Sequence, residues 1–208
     1  MDGLLLDSEK LALKAFNSTC ESYDLGDLSD LFKQCIGTNN VLGRSILQNG
    51  LEGLVDFEVF HQSWEALYLE ATTAKPVPLK EGVVELLQHI QSLNIPMAVA
   101  TSTKTTLAKD KLSHSELIHW FDVIIGGDQV EQSKPNPHIY LKASEALSVE
   151  ASDCLALEDS ANGVKAAVAA GMTVVQIPDL VQPNDELRQM GHIVLDSLLD
   201  VPSYHYST

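Results

Sequence analysis

The chain is predicted to be an α/β protein: a Rossmann-like parallel-sheet core with a small helical block inserted near the N-terminus. Three observations predict this. From Lys80 onward, short continuous apolar runs alternate with amphipathic helical segments, as in a parallel sheet covered on both faces. Before Lys80 the apolar spacing is helical and no run is rich in β-branched residues. Three of the later apolar runs end in polar residues, where open parallel sheets bind ligands.

In order along the chain, Leu11, Leu13, Phe16 and Cys20 recur at near-helical spacing, and Phe57, Phe60, Trp64, Leu67 and Tyr68 form a clearer helical stripe. This all-helical block suits a cap on something larger. Ala74-Lys75-Pro76-Val77-Pro78-Leu79 interrupts it, because two prolines disfavour helix. A helix is expected over Glu81–Ser92, a strand over Met97–Thr101, a helix over Lys104–Leu112 and a strand over Asp122–Ile125, ended by Gly126-Gly127. There follow a helix over Pro137–Leu147, with proline near its first turn, and a strand over Cys154–Leu157. Ser160–Ala170 reads as a helix of small residues closed by Gly171. Thr173–Ile177 and His192–Leu195 read as the last strands. The expected division is therefore 1–8 as part of a first core motif, 9–74 as a helical cap and 75–208 as the core.

Composition bounds the function. With 208 residues, 45% hydrophobic and 20% charged, the chain is globular. No apolar run is long enough to span a membrane, and there is no signal-peptide pattern. The net charge of −16 argues against nucleic acid, whose binding needs basic patches. Cys20, Cys35 and Cys154 show no paired spacing; they suit a reducing cytoplasm and read as small packing residues. An anionic substrate would need a local cation, and only 13 Lys and Arg are available.

Four short motifs carry the chemistry. Glu158-Asp159 places adjacent carboxylates at a buried strand end, which is costly unless a cation such as Mg²⁺ relieves it; the pair could equally precede a helix that Asp159 or Ser160 caps. Lys134, in Ser133-Lys134-Pro135-Asn136-Pro137, sits on a stiff loop and could deliver one positive charge to a phosphate or a carboxylate cluster, although most lysines are simply at the surface. Thr101-Ser102 could bind a phosphoryl oxygen through hydroxyl and backbone N–H, or cap the helix that follows. In Asp2-Gly3 the glycine lets the backbone turn and a ligand approach.

Taken in order, Asp-Gly-Leu-Leu-Leu-Asp-Ser, Ala-Thr-Ser, Ser-Lys-Pro-x-Pro and Leu-Glu-Asp-Ser-x-x-Gly resemble the haloacid dehalogenase superfamily, over nearly the whole chain. The resemblance is nearest the β-phosphoglucomutase-like branch, which includes sugar-phosphate phosphatases and pseudouridine-5'-phosphatase. It implies a Mg²⁺-dependent phosphatase acting on a small phosphorylated metabolite through an aspartyl-phosphate. Asp2 would be the second aspartate of Asp-x-Asp: its carboxyl exchanges the proton of the leaving oxygen, and its backbone carbonyl binds the metal. Thr101 and Ser102 would hold the phosphoryl group, Lys134 would neutralise it, and Glu158 and Asp159 would position Mg²⁺. The helical block would close over the substrate.

Two departures stand out. The nucleophilic aspartate would precede Met1, and so would an apolar strand in the middle of the sheet. The expectation is that Met1 is an internal methionine, that the chain as written is inactive, and that neighbouring strands are left with unpaired edges. The alternative is a non-catalytic protein that still binds phosphate ligands. Second, Ala12 and Asn40, following Ser8 and Gly37, stand where mutase-type members carry histidine and arginine, which favours hydrolysis over phosphomutase chemistry. Arg44, Lys33 or Lys75 could substitute in space. The sequence leaves the substrate's identity and the oligomeric state open.

Overall fold

The computed structural model describes residues 1–36, 38, 40–73 and 75–204. Gly37, Ala74 and the side chain of Asn40, to which the reading above gave roles, lie outside the described residues.

The N-terminal block consists of helices α1 (Ser8–Ser22), α2 (Ser29–Lys33), α3 (Asn40–Gly50) and α4 (Phe57–Thr73). They bury an apolar cluster of their own around Phe16, Phe32, Leu51 and Phe60. Phe16 meets Phe60 and Trp64 edge-on, at centroid distances of 5.6 Å in both cases. Of the Phe57–Tyr68 stripe, Phe57 and Phe60 are buried and Trp64 and Tyr68 half-buried, as aromatic packing on one helix face predicts, while Leu67 is exposed. Trp64 also donates its indole N–H to Ala12 O, at 3.2 Å, as a packing residue would.

The core follows as α5 (Val83–Ser92), β1 (Ala98–Ala100), α6 (Thr105–His114), β2 (Val123–Ile125), α7 (His138–Leu147), β3 (Leu155–Glu158), α8 (Ala161–Ala169), β4 (Thr173–Gln176), α9 (Asp185–Arg188) and β5 (Ile193–Val194). Among the described residues the five strands pair in parallel, and an isolated antiparallel bridge joins Leu6 and Leu79. One apolar layer gathers Val83, Leu86, Leu87, Ala108 and Leu112 from α5 and α6. A second gathers Ile139, Ala143, Val164 and Ala167 from α7 and α8. The short α9 was not anticipated, and α8 ends as expected, with Gly171 at φ +79° just beyond it.

The sheet is in two pieces, β2-β1 and β3-β4-β5. Cys154 O and Glu158 O accept from Thr173 N and Ile177 N on the β4 side. By the alternation of a strand, the backbone groups of Leu155 and Leu157 point the other way, toward β1. They have no strand partner among the described residues, and Leu155 is 42% exposed. The two pieces are tied instead by Lys134, whose Nζ reaches Ala100 O at 3.1 Å and Glu158 Oε1 at 2.5 Å.

The segments joining block and core are paired to each other. Asp7 N donates to Pro78 O (2.8 Å) and Lys80 N to Leu5 O (2.9 Å), so entry and exit run side by side. Lys80 fixes this junction to the loop after β4 through Asp179, at 2.5 Å, with Asp7 3.9 Å away. No helix among the described residues is long and apolar enough to cross a membrane.

Candidate active site

The ends of β1 and β3 and the turn at residues 1–7 bring the expected residues to one rim. Lys134 and Glu158 are both buried there. A buried lysine and a buried carboxylate each need a partner, and here each is the other's. Tyr140, from α7, donates its hydroxyl to the same Glu158 oxygen, and Lys134 donates to the Tyr140 oxygen at 3.2 Å. The other Glu158 oxygen accepts from Asp159 N, Ser160 N and Ser160 Oγ at 3.2–3.3 Å. Burial would raise the Glu158 carboxyl, but the Lys134 charge first, then the Met1 ammonium and the hydrogen bonds from Lys134 and Tyr140, outweigh it and hold it down at about 2.

Asp159 is the opposite case. Burial first, and then the neighbouring Glu158 charge, push its carboxyl up to about 8. Its side-chain oxygens have no hydrogen-bond donor among the described residues. Gly3, at φ +75°, lies against Asp159 Oδ2, and a Cβ there would overlap it. The close approach and the positive φ together explain why glycine follows Asp2.

This donor set fits a hard divalent cation, which typically takes only one or two protein carboxylates. Asp159 offers a carboxylate whose charge lacks compensation. The two carboxylates expected to position Mg²⁺ differ in their contacts. Both Glu158 oxygens are engaged, one by Lys134 and Tyr140 and the other by Asp159 N and Ser160, so Glu158 is the lysine's counter-charge. The physical reason is distance: Lys134 is already in contact with it.

Asp2 also differs from a ready proton donor. Its Oδ1 accepts from Lys111 Nζ at 2.7 Å and Ser8 Oγ at 2.9 Å, and its Oδ2 from Thr103 Oγ1 at 2.8 Å. Burial raises its pKa, but the Lys111 charge, the Met1 ammonium and the hydrogen bonds from Lys111 and Thr103 more than offset this, so the carboxyl is held below its usual range. Thr101 is buried at the end of β1, its hydroxyl accepting from Thr103 N at 3.2 Å. Ser102 is exposed, with its carbonyl packed against Gly127. The alternative role for Ser160 holds as well: its Oγ accepts from Gly163 N at 3.1 Å and caps α8.

Sequence reading missed Lys111, Tyr140 and Glu9. Burial and the Asp2 and Asp179 carboxylates lift Glu9 to about 7. For Lys111 a signal existed: it lies beside Leu112 and three residues after Ala108, on the inward face of α6. Of the possible substitutes for a mutase cation, Arg44 pairs with Glu58 and lies over the Phe57 ring, Lys33 pairs with Asp30, and Lys75 is exposed; Ala12 is buried in the helical cluster. A cavity of about 200 Å³ opens beside Asp159, lined by Ser160, Lys165, Asp179 and Leu180 of the core and by Ile36 of the helical block.

The chain is similar to several known proteins. A phosphorylated carbohydrates phosphatase of Thermotoga maritima is 36% identical over 176 residues, covering 83% of this chain and 79% of its own. A probable pseudouridine-5'-phosphatase of Drosophila melanogaster is 34% identical, covering 96% and 88%. A crystal structure from Thermotoga maritima, described as a putative beta-phosphoglucomutase, superposes with a TM-score of 0.79 at 31% identity, over 98% of this chain and 94% of that one. The profile of the haloacid dehalogenase-like hydrolases matches residues 1–177, across both the helical block and the rim built by Asp2, Lys134 and Asp159, and the chain belongs to that family.

Proposed function

We propose that the protein is a Mg²⁺-dependent phosphomonoester hydrolase acting on a small phosphorylated sugar or nucleoside-type substrate. The observation that carries this is the convergence of Lys134, Glu158, Asp159, Asp2 and Thr101 on one rim, beneath a helical block that acts as its cap. The relatives named for phosphorylated carbohydrates and for pseudouridine 5'-phosphate support the substrate class.

Thr101 and the Ser102 N–H orient the phosphoryl oxygens, and Lys134 places one positive charge beside them. Asp159 and the Asp2 carbonyl would hold Mg²⁺, which supplies charge neutralisation of the phosphoryl group when bound. In the mechanism the family resemblance implies, an aspartate carboxylate attacks the phosphorus. It forms the P–O bond of an aspartyl-phosphate as the bond to the leaving oxygen breaks. Asp2 gives that oxygen its proton, then takes a proton from the water that releases phosphate. For this Asp2 must first be protonated, so substrate binding has to loosen its contact with Lys111. The cap excludes bulk water while this happens.

Phosphate release from fructose 1-phosphate, glucose 6-phosphate and pseudouridine 5'-phosphate, with Mg²⁺ or with chelator, tests the reading. The polypeptide Met1–Thr208 is expected to show no turnover. A version extended upstream by an apolar strand ending in aspartate is expected to hydrolyse at least one substrate, only with Mg²⁺. Turnover by Met1–Thr208 that Asp2→Asn abolishes would overturn the assignment of roles, and no release by either would overturn the function. The structural likeness to the Thermotoga maritima protein named for mutase chemistry supports a second reading, phosphomutase. A hexose 1-phosphate distinguishes them: free phosphate means hydrolase and the 6-phosphate means mutase.

A further inference from the structure

One buried cation connects the rim to the helical block. Lys111 is 6% exposed, whereas Lys104 and Lys109, at the start and middle of the same stretch, are exposed. Its neighbours Ala108 and Leu112 are fully buried, so the lysine enters an apolar layer. Burying an ammonium there is costly unless it is closely paired. The pairing comes from two sides. Asp2 Oδ1 lies 2.7 Å away on the core side, and Tyr68 Oη lies 3.1 Å away on α4, with the tyrosine ring centroid at 5.4 Å. The phenol oxygen and the carboxylate thus share one ammonium across the junction between block and core. Glu9, on the first turn of α1, is close enough to feel both Asp2 and Lys111.

We propose that Lys111 is a positioning residue: it fixes the Asp2 carboxylate and, through Tyr68, seats helix α4 over that carboxylate. The seating places the Tyr68 hydroxyl beside the group that exchanges a proton with the leaving oxygen, so Tyr68 faces the leaving group. That last step rests on the phosphohydrolase reading; the seating itself does not.

Hydrogen–deuterium exchange on the 208-residue protein tests it, with Lys111→Met, Lys111→Arg, Tyr68→Phe and the Lys111→Met/Tyr68→Phe double variant. Lys111→Met is expected to speed exchange in 57–73 and in 2–8 by about tenfold, while 173–176 in β4 keeps its protection. Tyr68→Phe is expected to loosen 57–73 alone. The double variant is expected to exchange no faster in 57–73 than Lys111→Met, since both remove one shared contact. Lys111→Arg, which keeps the cation, is expected to hold 57–73 near the parent rate. Unchanged α4 exchange in Lys111→Met, additive loosening in the double variant, or an arginine variant as loose as the methionine one would each overturn the proposal. If the methionine variant does not fold, Tyr68→Phe decides: loosening confined to 57–73 supports the proposal, and parent-like exchange there overturns it. Failure of the phosphohydrolase reading would show separately, as absent phosphate release from the extended parent with the exchange pattern intact.

Discussion

At Glu158 and Asp159 two adjacent carboxylates leave one strand end with opposite ionisation. Lys134 and four donor groups surround Glu158, whereas Asp159 meets burial and its neighbour's charge. The consequences for stability have opposite signs. Glu158 titrates at 4.5 unfolded and about 2 folded, so its contribution is present above 4.5 and is lost as pH falls toward 2. Asp159 titrates at 3.8 unfolded and about 8 folded, so stability declines as pH rises from 3.8 toward 8. A cation on Asp159 must displace that proton and then removes the penalty. Mg²⁺ is therefore expected to raise the melting temperature little near pH 5 and more near pH 8. Thermal unfolding with and without Mg²⁺ at both pH values checks this. A shift equal at the two, or one that survives Asp159→Asn, would count against Asp159 as a ligand. The adjacency of the pair was legible in sequence. Which of the two lacks compensation was not, because Lys134 and Tyr140 reach Glu158 from 24 and 18 residues away.

Helix α8 shows how an element is built around a site. Ser160 caps it, and Gly163, in its first turn, lies against the Glu158 carboxylate, where a Cβ would overlap. The two residues should respond differently. Ser160→Ala removes a cap and one donor to Glu158, and is expected to lower stability by about 1 kcal/mol. Gly163→Ala drives a methyl into a buried ion pair, and is expected to cost about 1–3 kcal/mol and to displace Lys134. Urea unfolding of both variants checks the order; a Gly163→Ala protein as stable as its parent would contradict the close approach. The start of this helix and its stop at Gly171 could be read from local chemistry, since caps and left-handed glycines act within a few residues. Gly163 closes the Leu-Glu-Asp-Ser-x-x-Gly motif, but the reason for it was not legible, because it arises from contact with the preceding strand end.

For the molecule as a whole, the sheet is divided among the described residues. β1 and β3 face one another with unpaired edges, bridged by Lys134, while β4 is paired on both sides. Backbone amides of Ala100, Leu155 and Leu157 are expected to exchange much faster than those of Val174 and Val175, and residue-resolved hydrogen exchange checks this. Equal protection across β3 and β4 would mean that the gap is closed in solution. The order of strands and helices, the helical block and the motif residues of the rim were legible in the amino-acid sequence, because apolar periodicity and turn chemistry are set by neighbours along the chain. The rim's charge pattern was not. Lys111 against Asp2, Lys80 against Asp179 and Lys134 against Glu158 join residues far apart in sequence, and burial sets which carboxylates stay ionised. Spacing along a chain carries local propensity, while the energy of a buried charge depends on what the fold places within a few ångströms of it.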